Sequence, residues 1–250
     1  MEKTVLITGI SKGLGKALAV KFKKEGFNVI GISRSKPDFP VDDFYSADLT
    51  DFSQVEKVSR EILKDWNIDI LINNAGVGIY ESWEDMSIND LKKVFDLNFF
   101  SAIYLTKIFL PEIKKRKGSI INVSSVAGKV YIPYMGGYCA SKYALNAFSD
   151  SLRAELIEDD VHVLNLIVGR INTGFSERAL GSKKPPSTPF GSSPEKFADA
   201  VYRAYVKKKR EIIFPRWYRF FIWFSKAFPS IYDRLSYKKW NDHSLSKTSR

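Results

Sequence analysis

The chain of 250 residues contains very little cysteine and histidine. Its single cysteine, Cys139, cannot form an internal disulfide, so packing must stabilise the fold, and the composition is compatible with a reducing cytoplasm. We expect Cys139 to be a small packing residue rather than a reactive thiol. His162 lies in an apolar run and His243 in the polar terminus, without neighbours that suggest a metal site or a catalytic triad. The sequence therefore predicts no metal.

Long uninterrupted apolar runs are also missing. No stretch approaches the roughly 18 to 20 apolar residues of a membrane-spanning helix, so we expect the chain not to cross a bilayer. The first residues enter a β-branched run directly, without the ordered charged, apolar and small-residue segments of a secretory signal. With 44% hydrophobic and 27% charged residues, the composition is typical of a soluble domain with one core. We therefore expect a cytoplasmic protein.

The formal charge of +11 is unevenly distributed along the chain. From Arg203 to Arg250 there are 13 Lys and Arg residues and three acidic residues, which leaves about +1 for residues 1–202. A strongly basic total is typical of proteins that bind nucleic acid or anionic membranes. Because the excess belongs to the tail alone, the body of the protein gives no indication of a nucleic-acid-binding surface.

Short β-branched runs alternate with helix-length segments that have apolar residues at three- and four-residue spacing. Such alternation predicts a mainly parallel sheet with helices on both faces, and ligands then bind at the carboxyl ends of the strands. We therefore predict an α/β fold of the Rossmann type, a doubly wound parallel sheet in a single domain with a helical C-terminal extension. The predicted strands are 4–7, 28–32, 69–72, 119–123, 161–167 and 211–214, and the predicted helices are 14–25, 52–65, 88–117 with a break, 138–158 and 194–208.

A glycine-rich turn connects the first predicted strand to the first predicted helix. Its sequence is Thr8-Gly9-Ile10-Ser11-Lys12-Gly13-Leu14-Gly15. Glycine is needed where the backbone approaches a pyrophosphate closely, and the helix N-terminus adds free amide groups and a positive dipole end. The turn is therefore predicted to hold a dinucleotide.

Two cations lie where dinucleotide-binding proteins select their cofactor. After the second strand, an acidic residue usually binds the ribose 2′-hydroxyl of NAD, whereas a cation accommodates the 2′-phosphate of NADP. This chain has Arg34 at that position, and Lys12 in the glycine turn can reach the same phosphate. An acid would repel the phosphate, so Arg34 and Lys12 together predict NADP(H) rather than NAD(H).

Tyr138 and Lys142 are four residues apart at the start of a predicted helix. Residues at this spacing lie on one face, so the Lys142 ammonium is expected close to the Tyr138 phenol. An ordinary tyrosine, with a pKa of about 10, is a poor base at neutral pH, and a nearby cation favours its ionised form. The pattern predicts an acid/base pair.

The order of these motifs along the chain resembles the short-chain dehydrogenase/reductase family over residues 3–214. The motifs are the glycine turn after Thr8, Asp48, Asn73-Asn74-Ala75-Gly76, Asn98, Ser124-Ser125 and Tyr138-x-x-x-Lys142. The resemblance implies that Tyr138 protonates the substrate carbonyl oxygen and that Ser125 hydrogen-bonds this oxygen. It also implies that Lys142 binds the nicotinamide ribose and lowers the pKa of Tyr138, while Asn98 holds a water in a proton relay. Spacing to Tyr138 favours Ser125 over Ser124 as the acting serine.

The same resemblance implies a cofactor-binding set that extends along most of the domain. Asp48 and Leu49 are expected at the adenine, and residues 74–76 at the adenosine ribose. Ile171 is expected at the nicotinamide, and Thr173 at a phosphate. The complete predicted set is Gly9, Ser11, Lys12, Gly13, Leu14, Gly15, Arg34, Asp48, Leu49, Asn74, Ala75, Gly76, Tyr138, Lys142, Ile171 and Thr173.

One segment departs from the family pattern. The family commonly has Pro-Gly after the sixth strand, whereas this chain has Val168-Gly169-Arg170. Arg170 faces either an anionic substrate or solvent, and general burial preferences favour solvent. We expect loss of the proline to loosen the loop that follows.

We divide the chain into a domain, residues 1–214 with a substrate loop at 174–194, and an amphipathic basic and aromatic extension, residues 215–250. Between Phe214 and Trp240 there are 11 aromatic residues. A helix would carry one stripe made of Trp217, Phe220, Phe221, Phe224 and Phe228, with Arg219 and Lys226 opposite. The stripe either packs over the substrate cleft or against another subunit, or contacts the inner face of an anionic membrane through residues 215–240. Single-stranded nucleic acid is the least favoured partner.

The sequence therefore predicts an NADP(H)-dependent enzyme that interconverts a carbonyl and a secondary alcohol on an apolar lipid-, steroid- or retinoid-like substrate. The alternative is a noncatalytic NADP(H)-binding scaffold at a membrane or in a complex. The resemblance also implies a homodimer or homotetramer paired through the two long helices near residues 101–117 and 138–158.

Overall fold

A computed structural model describes residues 2–186 and 191–248, with the side chains described up to residue 241. The described chain contains one seven-stranded sheet in which all neighbouring strands are parallel. Its strands are β1 (Thr4–Thr8), β2 (Asn28–Ser33), β3 (Asp43–Ser46), β4 (Ile70–Asn73), β5 (Ser119–Ser125), β6 (His162–Val168) and β7 (Glu211–Phe214). The order across the sheet is β3-β2-β1-β4-β5-β6-β7.

Helices cover both faces of this sheet. They are α1 (Gly13–Lys24), α2 (Phe52–Asp65), α3 (Ile88–Phe95), α4 (Ser101–Lys115), α5 (Gly136–Glu155), α6 (Pro194–Val206), α7 (Tyr218–Ala227) and α8 (Pro229–Thr248). Phe22 of α1 and Phe197 of α6 pack in one core layer, and Phe109 of α4 packs in the other. Because successive strand residues face opposite sides, Ile7 of β1 joins the first layer and Leu6 the second. The predicted doubly wound α/β fold is confirmed.

Strands β1 and β4 are neighbours in the sheet. Strands β2 and β3 extend the sheet on the β1 side, and β5 to β7 extend it on the β4 side. Connections from the two strands run to opposite sides, so a crevice opens beyond their carboxyl ends. The glycine turn follows β1, and Asn74 follows β4. The topology therefore brings two of the predicted motifs to the same crevice.

The predicted break in the helix over 88–117 is a π-helical segment, Asp96–Phe100, between α3 and α4. By length and composition, the continuous helix Ile88–Lys115 is apolar enough to cross a membrane. Leu105, Phe109 and Ile113 on this helix are fully buried in the core beside the sheet. Its apolar composition is explained by this packing.

The two C-terminal helices lie on the body of the protein beyond β7. Tyr218, Phe221 and Ile222 of α7 pack with Val126 and Ile167 of the sheet region. On α8, Tyr232 is buried, and its hydroxyl donates a hydrogen bond of 2.6 Å to the carbonyl oxygen of Tyr131. The extension is therefore helical, as predicted, and much of it is packed.

The aromatic residues of the predicted α7 stripe are divided between packed and exposed positions. Phe221 and Phe224 contact the body, whereas Trp217, Phe220 and Phe228 are 50%, 67% and 44% exposed. The helix spans only Tyr218–Ala227, so Trp217 and Phe228 flank it instead of extending its apolar face. The division of the chain at residue 214 stays a prediction.

Candidate active site

The glycine turn is a close-packed structure built on backbone contacts. Gly13 has a φ of +60°, in the left-handed region that favours glycine. A Cβ on Gly15 would lie 2.2 Å from the carbonyl oxygen of Gly9, so no larger residue fits without moving the backbone. The Asn74 side-chain amide donates to the carbonyl oxygen of Thr8 at 2.8 Å, and the Thr8 hydroxyl accepts from the Asn74 amide N–H at 2.9 Å. These contacts hold the turn open towards the crevice.

A cavity of about 1240 Å³ extends from this turn across the carboxyl ends of the strands. Most of the predicted cofactor residues line it, including Lys12, Arg34 and Thr173. Gly15 is the exception because it is buried beneath Gly9. Of the predicted catalytic residues, Ser125, Tyr138 and Lys142 line the cavity, whereas Asn98 lies behind its wall.

The end of the cavity beside the glycine turn carries Arg34 and Lys12, the two cations from which the sequence predicts NADP(H). The Arg34 side chain is 78% exposed, and its Nη1 lies 3.9 Å from Asp48 Oδ2. An exposed pair at this distance interacts weakly, so it leaves the guanidinium available. The Asp48 carboxylate is otherwise engaged, because its Oδ1 accepts hydrogen bonds from the amide and hydroxyl of Thr50.

Ser125 and Tyr138 meet at the other end, where β5 ends and α5 begins. Burial raises the pKa of the Tyr138 phenol, and the neighbouring Ser125 hydroxyl offsets part of this rise. The Ser125 hydroxyl donates to the carbonyl oxygen of Val168 at 3.2 Å. The hydroxyl of Ser124 instead donates to the carbonyl oxygen of Lys142 at 3.4 Å, so Ser125 is the serine that faces Tyr138.

Lys142 lies under the Tyr138 ring, and its expected effect on the phenol pKa stays a prediction. Its Nζ donates to the carbonyl oxygen of Val123 at 2.9 Å and lies 5.9 Å from the centre of the Tyr138 ring. Burial lowers the pKa of Lys142 to about 8. In this structure, therefore, burial dominates both groups and disfavours the charged form of each.

Asn98 is 1% exposed and belongs to the π-helical segment. Its side-chain amide accepts from the Val77 N–H at 2.8 Å and donates to the Val77 carbonyl at 2.9 Å. The same amide donates to the Ser141 hydroxyl at 3.0 Å. A methyl group on Gly76 would lie 3.1 Å from Asn98 Oδ1 and 3.6 Å from Lys142 Nζ, so Gly76 lies close to both side chains.

Several residues of the far end were missed by the sequence analysis. The Tyr80 hydroxyl donates to the Ser176 hydroxyl at 3.0 Å, and the Phe175 ring lies 5.8 Å from the Tyr138 ring. Trp240 of α8 is buried, with its ring 6.3 Å from Tyr80. No motif marks these residues, because long-range packing alone brings them together. The count of aromatics in the tail was the one available signal.

Arg170 also lies at this end, where the sequence favoured exposure to solvent. That preference is wrong: the side chain is half-buried and lines the cavity. Gly169 explains the placement, because a Cβ there would lie 2.0 Å from the Tyr218 ring. The ring packs over the glycine, and its hydroxyl accepts a hydrogen bond of 3.2 Å from the Arg170 N–H. Helix α7 therefore covers the end of β6 and keeps Arg170 inside.

The combination of this sheet, glycine turn and Ser125–Tyr138–Lys142 cluster defines a family. The short chain dehydrogenase family model matches residues 3–183. The chain therefore belongs to the short-chain dehydrogenase/reductase family, whose members are oxidoreductases.

Relatives extend the similarity over most of the chain. The chain is 34% identical over 250 aligned residues to the NADPH-dependent 1-acyldihydroxyacetone phosphate reductase of Schizosaccharomyces pombe, covering 88% of this chain and 82% of that protein. It is 36% identical to the dehydrogenase/reductase SDR family protein 7-like of Drosophila melanogaster, covering 84% and 72%. Among solved structures, the alcohol dehydrogenase of the archaeon Thermococcus sibiricus in complex with 5-hydroxy-NADP is 25% identical, with a TM-score of 0.75 over 85% of this chain and 96% of that one.

Proposed function

We propose that the protein is an NADP(H)-dependent reductase that interconverts a carbonyl and a secondary alcohol on an apolar, lipid-like substrate. One observation carries the proposal. Ser125, Tyr138 and Lys142 lie in the wall of the same cavity that the glycine turn opens into. A dinucleotide held at the turn and a carbonyl compound held at Tyr138 would therefore share one continuous space.

The residues present fit an NADP(H) molecule. Gly15 lies so close to the Gly9 carbonyl that a Cβ would fill the space between them. Without that Cβ, backbone amides of the α1 N-terminus are available to a pyrophosphate. Arg34 and Lys12 would hold the 2′-phosphate, because both are exposed cations on the cavity wall. The NADPH-dependent relative and the neighbour crystallised with an NADP derivative support the same cofactor.

NADPH supplies a hydride when bound. The protein has to orient the carbonyl, polarise it and supply a proton. The Ser125 hydroxyl would donate a hydrogen bond to the carbonyl oxygen. Tyr138 would deliver its proton to the same oxygen. Burial raises the pKa of the phenol, so a cation that stabilises the phenolate, such as the Lys142 ammonium, would favour this transfer. Lys142 would contact the nicotinamide ribose, and a bound ribose would contribute new partners for its ammonium.

The substrate end of the cavity is lined mainly by apolar and aromatic side chains. They come from the loop before α3, the loop after β6 and both C-terminal helices; examples are Tyr80, Phe175, Phe221, Phe224, Leu235 and Trp240. Burial of apolar surface favours a long hydrocarbon or ring system here. The lipid-derived substrate in the name of the fission-yeast relative supports this class.

Replacement of Tyr138 by Phe tests the proposal. With a panel of lipid-like ketones, wild-type protein should oxidise NADPH, and Tyr138→Phe should lower kcat/KM by about 1000-fold because it removes the proton donor. NADPH affinity, measured by fluorescence titration, should change little because the ring is retained. If the variant oxidised NADPH as fast as the wild type, Tyr138 would not be the acid.

The same experiment separates the reductase from a noncatalytic NADP(H)-binding scaffold. If the protein were a scaffold, the wild type would bind NADPH but turn over none of the ketones. The presence of Ser125, Tyr138 and Lys142 together favours catalysis, because cofactor binding alone requires no proton donor.

We further propose that α7 and α8 contact an anionic membrane surface. The exposed side chains of these helices include Phe220, Trp223 and Ile231, all at least 50% exposed, on a strongly basic segment. Aromatic and aliphatic side chains insert at the boundary of the headgroups, and nearby cations attract anionic lipid.

Vesicle sedimentation tests this contact. Phe220→Ser with Trp223→Ser should lower binding to vesicles of phosphatidylserine and phosphatidylcholine several-fold. Tyr143→Ser, an exposed aromatic change on α5, is the matched control. Equal binding of both variants would exclude this face.

A homodimer or homotetramer paired through α4 and α5 stays a prediction, which sedimentation velocity can check.

A further inference from the structure

Arg170 is a half-buried cation in the wall of the cavity. Its Nη1 has one weak hydrogen bond, of 3.5 Å, to the carbonyl oxygen of Pro186. None of the acidic side chains in residues 2–186 and 191–241 forms an ion pair with it. Burial of a charge without a counter-charge is costly. An anion from outside the chain would relieve that cost.

The sheet register places Arg170 next to the reacting atoms. Ser125 is paired with Val168 across β5 and β6, and its hydroxyl is bonded to the Val168 carbonyl. Arg170 follows Val168 by two residues, a span of at most about 7 Å along the chain. Burial raises the pKa of Tyr80, which lines the same cavity as Tyr138, and the charge of Arg170 offsets part of this rise. The backbone of Arg170 therefore lies close to Ser125, and its side chain lines the same cavity as Ser125 and Tyr138.

The cavity carries no competing acid at this end. Among the described residues that line it, the one acidic side chain is Asp48, which lies at the adenosine end beside Arg34. The neighbours of Arg170 are instead hydroxyl-bearing aromatics, Tyr80 and Tyr218. Such neighbours can donate hydrogen bonds to an oxyanion.

We propose that Arg170 binds an acidic group of the substrate, so that the enzyme acts on anionic amphiphiles, with a phosphate ester or carboxylate a few bonds from the carbonyl. This inference rests on the proposed function. The hydrocarbon part would extend along Phe221, Phe224 and Leu235 towards the mouth between α7 and α8. The contact between the acidic group and Arg170 would fix which carbon atom of the substrate lies at Tyr138. An apolar chain alone cannot fix this position.

The test compares acidic ligands with neutral ones that differ in a single group. The alcohols 1-octanoylglycerol 3-phosphate and 1-octanoylglycerol differ by the phosphate, and 3-hydroxyoctanoate and its methyl ester differ by the carboxylate. Their binding to the NADP-loaded protein is measured by tryptophan fluorescence. The corresponding ketones are then used as substrates with NADPH. The two pairs distinguish a phosphate from a carboxylate as the group that is recognised.

The variants are Arg170→Met, which removes the charge, and Arg170→Lys, which keeps it. Arg60→Met, a change at an exposed arginine of α2, is the control. In at least one pair, the wild type should bind the acidic alcohol about 30-fold more tightly than the neutral one. Arg170→Met should abolish that difference and leave binding of the neutral alcohol unchanged, and Arg170→Lys should restore part of it.

Other outcomes overturn the inference, and each has a separate meaning. Equal binding within both pairs by the wild type would mean that no acid is recognised. An equal loss for acidic and neutral ligands would mean that Arg170 only supports the loop at Pro186. A weaker NADPH affinity in Arg170→Met would assign the arginine to the cofactor. Selective binding of the acid without turnover of any ketone would contradict the proposed function and leave the Arg170 site intact.

Discussion

The two ends of the cavity are built in different ways. At the cofactor end, the contact surface is backbone, held by Gly15 against Gly9 and by the hydrogen bonds between Asn74 and Thr8. At the substrate end, the surface consists of side chains that arrive from distant parts of the chain, such as Tyr80 and Trp240. The first arrangement fixes one ligand shape, because backbone atoms cannot be exchanged by substitution. The second can change with every side chain, which suits an end that selects among substrates.

Gly15→Ala at the cofactor end is the substitution from which we expect the largest effect. It places a Cβ 2.2 Å from the Gly9 carbonyl oxygen, and this oxygen cannot move without displacing the turn. We expect NADPH affinity to fall by about 100-fold, corresponding to about 3 kcal/mol. Fluorescence titration measures the loss. Alanine favours a helix over glycine by about 1 kcal/mol. If NADPH affinity were retained, the turn would have adapted to the added Cβ.

Arg34→Ser tests how the cofactor end distinguishes NADPH from NADH. The guanidinium is 78% exposed and lies beside Asp48, so its removal leaves an acid without its cation. We expect the preference for NADPH over NADH to fall by about 30-fold, because a charge-assisted contact to the 2′-phosphate is lost and Asp48 repels the phosphate. The ratio of kcat/KM for the two cofactors measures it. The NADH value should hardly change, and a parallel loss with both cofactors would point to a structural defect.

Gly169→Ala is the matching change at the substrate end. Its Cβ would lie 2.0 Å from the Tyr218 ring, and a ring can rotate or withdraw where backbone cannot. We expect kcat/KM for a lipid-like ketone to fall by about 10-fold while NADPH affinity stays within about twofold. Tyr218→Ala in the same protein should remove the clash and much of the effect. If NADPH affinity fell as far as in Gly15→Ala, the two ends would not be independent.

The smallest expected effect concerns Lys142, which lies where the two ends meet. Its pKa is lowered by burial from 10.5 to about 8, so above pH 8 the folded state loses its proton before the unfolded state does. The unfolded state then binds more protons, and stability rises with pH in this window. Between pH 8 and 9 we expect the free energy of unfolding to rise by about 1 kcal/mol more in the wild type than in Lys142→Met. Urea titrations of both proteins without cofactor measure the difference, and parallel pH profiles would contradict the lowered pKa.

The same contrast explains what could be predicted from the sequence. The strands, the doubly wound order and the glycine turn follow from periodicity and from local motifs, since each depends on residues close together in the chain. The sequence could not show which rings of the α7 stripe are buried, because tertiary packing decides this. Arg170 was judged from average burial of arginine, and only the fold shows Tyr218 covering Gly169 beside it. The raised pKa of Tyr138 likewise depends on the depth of burial, which no spacing reveals.

The position of Trp240 has a consequence for how the protein is made. Its ring packs against Tyr80 and Tyr134, yet it is synthesised after all seven strands and both of those tyrosines. A nascent chain that has completed the sheet therefore still exposes the apolar wall of the future substrate end. Surfaces of this kind attract chaperones or other unfinished chains until they are covered. The substrate end is therefore covered only after Trp240 has been synthesised and α8 has packed against the body of the protein.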